Sequence, residues 1–322
     1  MSKIQNPKSK IRIAVIGPGG IGCLFSGLLA EAGHEVYLVD RRPERSALIS
    51  RDGLILEQDG AGRTVALQAH AFPSDIEPVE LIILCVKAHE TAGTIRSILT
   101  LSLPDTIVLS LQNGLGNLEA LESVVKGTNL FAGITTCGAT VVALNLVRQA
   151  GTGATVVGSL HQNNEGAERL AQILSKSGIE TSSTENTIGM LWSKLIINAA
   201  ICPVSVMADL PNGELALSEK WRSLLIASAK EGARVAAARG IKLMYADPAR
   251  AVLEVCQKTS ENISSMLQDT RRGRNTEIMQ INGAIIRAAA ELGIDTPINA
   301  MLCQSVLDRE RHSNRIPSIQ RN

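Results

Sequence analysis

In the first half of the chain, short unbroken apolar runs alternate with stretches that have helical spacing. Ile11 to Ile16 reads as a buried parallel strand, and Leu24 to Ala32 reads as a helix closed by Gly33. His34 to Asp40 reads as a second strand that ends in an acid, followed by a loop and helix from Arg41 to Ser50. A hairpin is predicted from Leu54 to Gln68 across Asp59-Gly-Ala-Gly62. Leu81 to Val86 and Thr106 to Leu111 are two further apolar runs that fit a sheet covered on both faces. Residues from about Leu130 to Gly158 are rich in Thr, Val and Gly and predict strands, partly antiparallel. After Thr181 helical periodicity takes over, with Gly240 and Gly293 placed as C-terminal helix stops. The pattern predicts an α/β chain of two domains, 1–185 and 186–322. The polar stretch from Arg311 to Asn322 is expected to fray.

Behind the first strand stands G-x-G-x-x-G, on Gly17, Gly19 and Gly22. Gly17 permits the tight turn, Gly19 lets backbone approach a pyrophosphate, and Gly22 lets the next helix pack on the sheet. The helix N-terminus then offers N–H groups and a positive dipole end to the phosphates. The strand–turn–helix–strand context points to dinucleotide binding; a βαβ turn using its glycines only for packing is the plainer alternative. The uncharged stretch from Ile13 to Ala30, behind Lys8, Lys10 and Arg12, also resembles a signal peptide or membrane helix. Gly17-Pro18-Gly19-Gly20 interrupts it, which speaks against that reading, and no other stretch of membrane-spanning length stands out.

Composition narrows the classes. At 322 residues the chain can bury substantial cores, and 45% hydrophobic content with 2% aromatics leaves Ala, Leu, Ile and Val to fill them. A net charge of +1 argues against nucleic acid or a membrane as the main partner. The six cysteines and five histidines are scattered, without C-x-x-C or zinc spacing. No metal site is expected, and dispersed thiols suit a cytoplasmic protein.

Three clusters carry candidate chemistry. Cys85-Val-Lys87-Ala-His89 and Leu111-Gln-Asn113-Gly-Leu-Gly116 lie at carboxyl ends of predicted strands, where open α/β sheets bind ligands. Lys87 is a candidate for a cofactor or anion contact, Asn113 for a hydrogen bond to a ribose or carbonyl. Next comes Leu191-Trp-Ser-Lys194-Leu-Ile-Ile-Asn198, continuing to Cys202-Pro203 and Pro211-Asn212-Gly-Glu-Leu215. Lys194 and Asn198 share a helix face among apolar neighbours. Burial penalises a lysine's charge, which suits a proton donor; a lysine snorkelling at the edge of a core helix is the plainer reading. In Glu261-Asn-Ile-Ser-Ser265-Met-Leu-Gln-Asp269 and Thr276-Glu277-Ile278, Ser265 and Glu277 are candidates to meet a polar substrate.

Taken in order and spacing, these clusters resemble the ketopantoate reductase family over nearly the whole chain. The resemblance runs from the glycine fingerprint through Val86-Lys87-Ala88, Gln112-Asn113-Gly114, Trp192-Ser-Lys194 and Pro211-Asn-Gly-Glu-Leu215. It continues through Glu261 to Asp269, Thr276-Glu277-Ile278 and Ile281-Asn282-Gly283. It implies an N-terminal Rossmann domain, an all-α substrate domain and NADPH-dependent reduction of 2-dehydropantoate to (R)-pantoate. It implies Lys194 as general acid, Glu277 orienting the substrate, and Asn113, Asn198, Asn212 and Ser265 lining the substrate site. Lys87 would lie beside the cofactor, and Arg41 would meet its phosphate. A homodimer is compatible with the resemblance.

The chain departs from the family pattern at two places. An Asn-Pro pair is common one turn beyond the residue matching Asn198, where this chain has Cys202-Pro203. The second strand ends in Asp40, where a neutral residue is common before the arginine. An acid there ordinarily reads the ribose and favours NADH; Arg41, Arg42 and Arg45 form a basic cluster that could bracket a 2′-phosphate. NADPH is therefore the expected cofactor, with NADH as the alternative. Reduction of another branched 2-oxo acid is the second functional reading, and Cys202 is the candidate specificity position. A non-catalytic nucleotide sensor is the third reading, and the presence of Lys194 and Glu277 argues against it.

Overall fold

The structure, a computed structural model, describes residues 10–315 and divides the chain into two compact units. The first comprises residues through Gln112 together with Asn117–Thr187; the second comprises Asn113–Gly116 and the chain from Ile188 onward.

The strands of the first unit are β1 (Arg12–Ile16), β2 (Glu35–Val39), β3 (Leu54–Gln58), β4 (Ala61–Val65), β5 (Gln68–His70) and β6 (Val79–Leu84). They continue with β7 (Ser102–Ser110), β8 (Leu130–Thr135), β9 (Gly138–Ala143), β10 (Leu146–Gly151), β11 (Thr155–Ser159) and β12 (Thr181–Ser183). The helices are α1 (Gly20–Glu31), α2 (Pro43–Asp52), α3 (Thr91–Leu101), α4 (Asn117–Glu122) and α5 (Asn164–Lys176).

The larger sheet has the order β12-β11-β8-β7-β6-β1-β2-β5. Its strands from β5 to β8 are parallel, and β11 runs antiparallel to β8. Ile13 pairs with Val36 on one side and Leu81 on the other, so β1 is central and buried. The chain leaves β1 toward β2 and β5, then re-enters on the opposite side at β6. The carboxyl ends of β1 and β6 therefore flank a topological switch point, the ligand crevice of open α/β sheets. A smaller sheet, β4-β3-β10-β9, packs with α1.

Several boundaries differ from the sequence reading. Helix α1 begins at Gly20 rather than Leu24, because the glycine turn leads straight into it. The hairpin ends at Val65; Gln68–His70 instead pairs with β2 and edges the parallel sheet. Helix α5 lies before Thr181, where the sequence reading placed no helix. The stretch that resembles a signal peptide is strand, glycine turn and core helix; Lys8 lies outside the described residues.

The second unit is helical: α6 (Thr187–Ala208), α7 (Asn212–Leu217), α8 (Glu219–Ala238), α9 (Pro248–Lys258), α10 (Ser265–Arg271), α11 (Ile278–Ala290) and α12 (Pro297–Arg315). Contrary to the sequence reading, α6 is long and apolar enough to cross a membrane by length and composition, but most of it is buried in the core of this unit. Gly240 and Gly293 take positive φ just beyond α8 and α11, as helix stops do. Of the tail expected to fray, residues through Arg315 are helical and the remainder lies outside the described residues.

Candidate active site

The glycine turn is shaped by close approaches. Gly17 has φ +114°, and a Cβ there would sit 2.4 Å from the Val86 nitrogen. Only glycine meets both demands at low cost. A Cβ on Gly22 would fall 1.9 Å from the Gly17 oxygen, and one on Gly20 would fall 2.0 Å from the Ala139 oxygen. These two glycines are therefore required by packing. Gly19 is different: it is exposed, and beyond its own residue and its chain neighbours no protein atom lies within 4 Å of the position its Cβ would take. It precedes α1, whose first turn has no capping side chain and no acidic residue. The open glycine and the uncapped N-terminus fit a dinucleotide pyrophosphate.

Asp40, at the end of β2, is buried and fully engaged. Its Oδ1 accepts from Arg42 Nε at 3.0 Å and Arg42 N at 3.2 Å; its Oδ2 accepts from Arg42 Nη2 at 3.0 Å and Arg45 Nη1 at 2.7 Å. Burial alone would raise this carboxyl, but the hydrogen bonds from Arg42 and Arg45 outweigh it and hold the group below its ordinary value. Arg45, expected to bracket a phosphate with Arg41 and Arg42, is turned inward instead. It is buried and also donates to Pro18 O at 2.9 Å, Leu144 O at 2.5 Å and Cys23 Sγ at 3.3 Å. A buried guanidinium needs such partners, and here they tie the glycine turn to the end of β2. Arg41 is exposed and pairs with Glu90 at 2.5 Å; Arg42 is also exposed.

At the carboxyl ends of β6 and β7, Gln112 Nε2 donates to Thr91 Oγ1 at 2.7 Å and Val86 O at 3.3 Å. Thr91 Oγ1 in turn lies 2.8 Å from Ala88 O and 3.0 Å from Asn117 Oδ1. This brace frames half-buried Lys87 from both sides in sequence. The sequence reading assigned no such role to Thr91 or Gln112.

In the helical unit, Asn198 Nδ2 donates to Asn113 Oδ1 at 3.4 Å, and Asn113 Nδ2 donates to Glu277 Oε2 at 3.3 Å. The segment carrying Asn113 is pinned to α11. Leu115 N donates to Gln280 O at 3.1 Å, and Gly114, at φ +83°, leaves no room for a Cβ, which would lie 2.5 Å from that oxygen. Glu277 is buried at the N-terminus of α11, where the helix dipole favours a carboxylate. Lys194, half-buried on α6, stands one turn before Asn198. Cys202 is buried one turn beyond it, and α6 continues through Pro203 to Ala208.

The remaining candidates are held differently. Asn212 is buried at the start of α7, with Nδ2 donating to Thr259 Oγ1 at 2.9 Å while its Oδ1 has no hydrogen-bond partner. Ser265 is exposed at the start of α10; its neighbour Ser264 is the capping residue, accepting from Leu267 N at 3.1 Å. Direct hydrogen bonds thus join Asn113, Asn198 and Glu277, whereas Asn212 is tied to the turn after α9.

A glycine turn at the switch point of a parallel sheet, followed by a helical unit bearing a carboxylate, two amides and a lysine, marks a dinucleotide-dependent oxidoreductase. Comparison with known proteins specifies the family. The model of the ketopantoate reductase PanE/ApbA matches residues 13–162, and that of its C-terminal part matches residues 186–310. The 2-dehydropantoate 2-reductase of Pyrococcus horikoshii is 35% identical over 304 residues, covering 93% of this chain and 98% of that protein. The crystal structure of a PanE/ApbA family ketopantoate reductase from Ralstonia eutropha JMP134 is 31% identical, with a TM-score of 0.85 over 94% of this chain and 100% of that one. A ternary structure of D-mandelate dehydrogenase with NADH and anilino(oxo)acetate is 29% identical, with a TM-score of 0.87 over 94% of this chain and 99% of that one. The chain belongs to the ketopantoate reductase family.

Proposed function

We propose that the chain reduces 2-dehydropantoate to (R)-pantoate with NADPH, a step toward pantothenate and coenzyme A. The observation that carries this reading is the hydrogen-bonded series Asn198–Asn113–Glu277, with Lys194 one turn away on α6, in a chain of which 93% is matched by a 2-dehydropantoate 2-reductase. We divide the work at residue 185, with cofactor binding before it and substrate binding after it. A cytoplasmic location accompanies this reading, and assembly as a homodimer is compatible with it.

Bound NADPH would supply the hydride taken up by the 2-oxo carbon. Negative charge then builds on the carbonyl oxygen. The Lys194 ammonium stabilises that charge and gives up a proton to the oxygen. Glu277 accepts a hydrogen bond from a hydroxyl donor on the substrate and so orients it. Asn113 and Asn198 supply amide hydrogens; Asn212, with an unpartnered Oδ1, and exposed Ser265 line the same substrate site. Gly17, Gly19, Gly20 and Gly22 would form the pyrophosphate turn, and Lys87 would stand beside the cofactor. Glu277→Ala should lower kcat/KM for 2-dehydropantoate by about 10- to 100-fold, the worth of a hydrogen bond to a charged group. Its NADPH affinity, measured by fluorescence titration, should stay near wild type. A variant that loses NADPH binding and keeps its substrate KM contradicts the role.

NADPH is supported by the fate of Asp40. A carboxylate with four donors on two oxygens has little left with which to accept from a ribose hydroxyl. Exposed Arg41 is then the group for the 2′-phosphate. Arg41→Ala should raise the KM for NADPH by about 10-fold and spare NADH; an equal change for both cofactors contradicts this. The second reading, a related reductase of another 2-oxo acid, is favoured by Cys202, because a thiol is a weak hydrogen-bonding substitute for an amide.

A further inference from the structure

Helix α6 carries an internal proline, and the bond that it removes can be named. Pro203 has no N–H, so the carbonyl four residues earlier, on Ala199, loses its helical donor. A buried carbonyl left in that state costs free energy comparable to a lost hydrogen bond. Here it is filled from α11: Asn282 Nδ2 donates to Ala199 O at 2.9 Å. Ser228 Oγ of α8 lies 3.2 Å from the same oxygen and 3.1 Å from Asn299 Oδ1, with one proton to share between them.

The amide is held in turn. The second Nδ2 hydrogen of Asn282 goes to Asn299 Oδ1 at 3.0 Å. Asn299 Nδ2 donates to Ser228 O at 3.2 Å and Glu231 Oε2 at 2.8 Å. Glu231 also accepts from Ile298 N and Asn299 N, both at 2.9 Å, which caps α12. Asn282, Asn299 and Ser228 are each fully buried. The hydrogens of both amides are therefore all committed, and this network fixes the orientation of the Asn282 side chain.

The bridge lies close to the residues assigned to chemistry. Ala199 follows Asn198 directly and stands five residues after Lys194. Asn282 stands five residues after Glu277, about 7.5 Å along α11. We propose that Asn282 is a positioning residue for the reaction: it replaces the donor that Pro203 lacks and fixes the register of α6 on α11, so that Lys194 and Asn198 keep their placement relative to Glu277. This rests on the functional reading given above for those three side chains.

The test is a cycle of Asn282→Leu, Pro203→Ala and the double variant. Pro203→Ala restores a helical N–H for Ala199 and should keep kcat within about threefold of wild type. Asn282→Leu leaves Ala199 O and Asn299 Oδ1 only the Ser228 hydroxyl proton between them and should lower kcat for 2-dehydropantoate by about 10- to 100-fold, as small misplacements of reacting groups do, with NADPH affinity unchanged. In the double variant the carbonyl has its own donor again, so kcat and Tm should recover to near the Pro203→Ala values. A double variant as impaired as Asn282→Leu overturns the proposal, as does Asn282→Leu with a lowered Tm and wild-type kcat. If Asn282→Leu does not fold, recovery of folded protein in the double variant supports the proposal, and failure of both overturns it. A wild-type protein that does not turn over 2-dehydropantoate would instead refute the functional reading; additive Tm changes would still refute the pairing on their own.

Discussion

Lys194→Ala is expected to lower turnover of 2-dehydropantoate by about 10²–10⁴-fold, the range typical for loss of a general acid, and to leave NADPH affinity near wild type. The reason is the division of labour along the chain. Lys194 sits in the second unit, one turn from Asn198 and within the buried apolar helix α6. The glycine turn and Arg41 belong to the first unit. Single-turnover rates and direct NADPH titration of the same preparation separate the two effects. Lys194→Arg should recover little, because a guanidinium keeps its positive charge but does not readily release a proton. Turnover near wild type in Lys194→Ala would remove this lysine from the mechanism.

The glycine turn supports a contrast of comparable size. Gly22→Ala places a methyl group 1.9 Å from a backbone oxygen that cannot swing aside, so α1 must move off the sheet. Overpacking of this kind costs about 3 kcal/mol, and at about 2–4 °C per kcal/mol the melting temperature should fall by about 6–12 °C, with NADPH binding lost alongside. Gly19→Ala meets no protein atom within 4 Å beyond its chain neighbours. It should leave Tm within about 2 °C of wild type. It should still weaken NADPH binding by about 10-fold or more, since its methyl group occupies space that the pyrophosphate needs. Calorimetry for stability and fluorescence titration for binding read the two outcomes separately. If Gly19→Ala binds NADPH as wild type does, the turn is a packing device and not a phosphate cradle.

Much of the first unit was legible because its strands are buried on both faces and appear as unbroken apolar runs, such as Leu81 to Val86. The glycine spacing identified the turn without help from tertiary structure. Strand β5 escaped notice because three residues of mixed polarity carry no period. The sheet to which β3 and β4 belong was equally hidden: pairing of β3 with β10 joins residues some ninety positions apart. At the candidate site, Lys194 and Asn198 stood out by their four-residue spacing. Their link to Glu277 through Asn113 was not, because it depends on how a four-residue segment is pinned to α11. Arg45 was grouped with Arg41 and Arg42 as a cluster to bracket a phosphate, but it is buried. Nothing local distinguishes it from Arg41 and Arg42; only the position of α2 against the glycine turn buries it. Asn282 belongs with these, since the donor that it replaces is missing from a helix some eighty residues away.

The central claim is that this chain is a reductase of 2-dehydropantoate. It is tested most directly by following NADPH and NADH oxidation by the wild-type protein with 2-dehydropantoate and with a panel of other branched and aryl 2-oxo acids. The account predicts the highest kcat/KM for 2-dehydropantoate with NADPH, above about 10⁴ M⁻¹s⁻¹ as for ordinary enzymes. It would be contradicted by a tenfold or greater preference, about 1.4 kcal/mol, for another 2-oxo acid or for NADH.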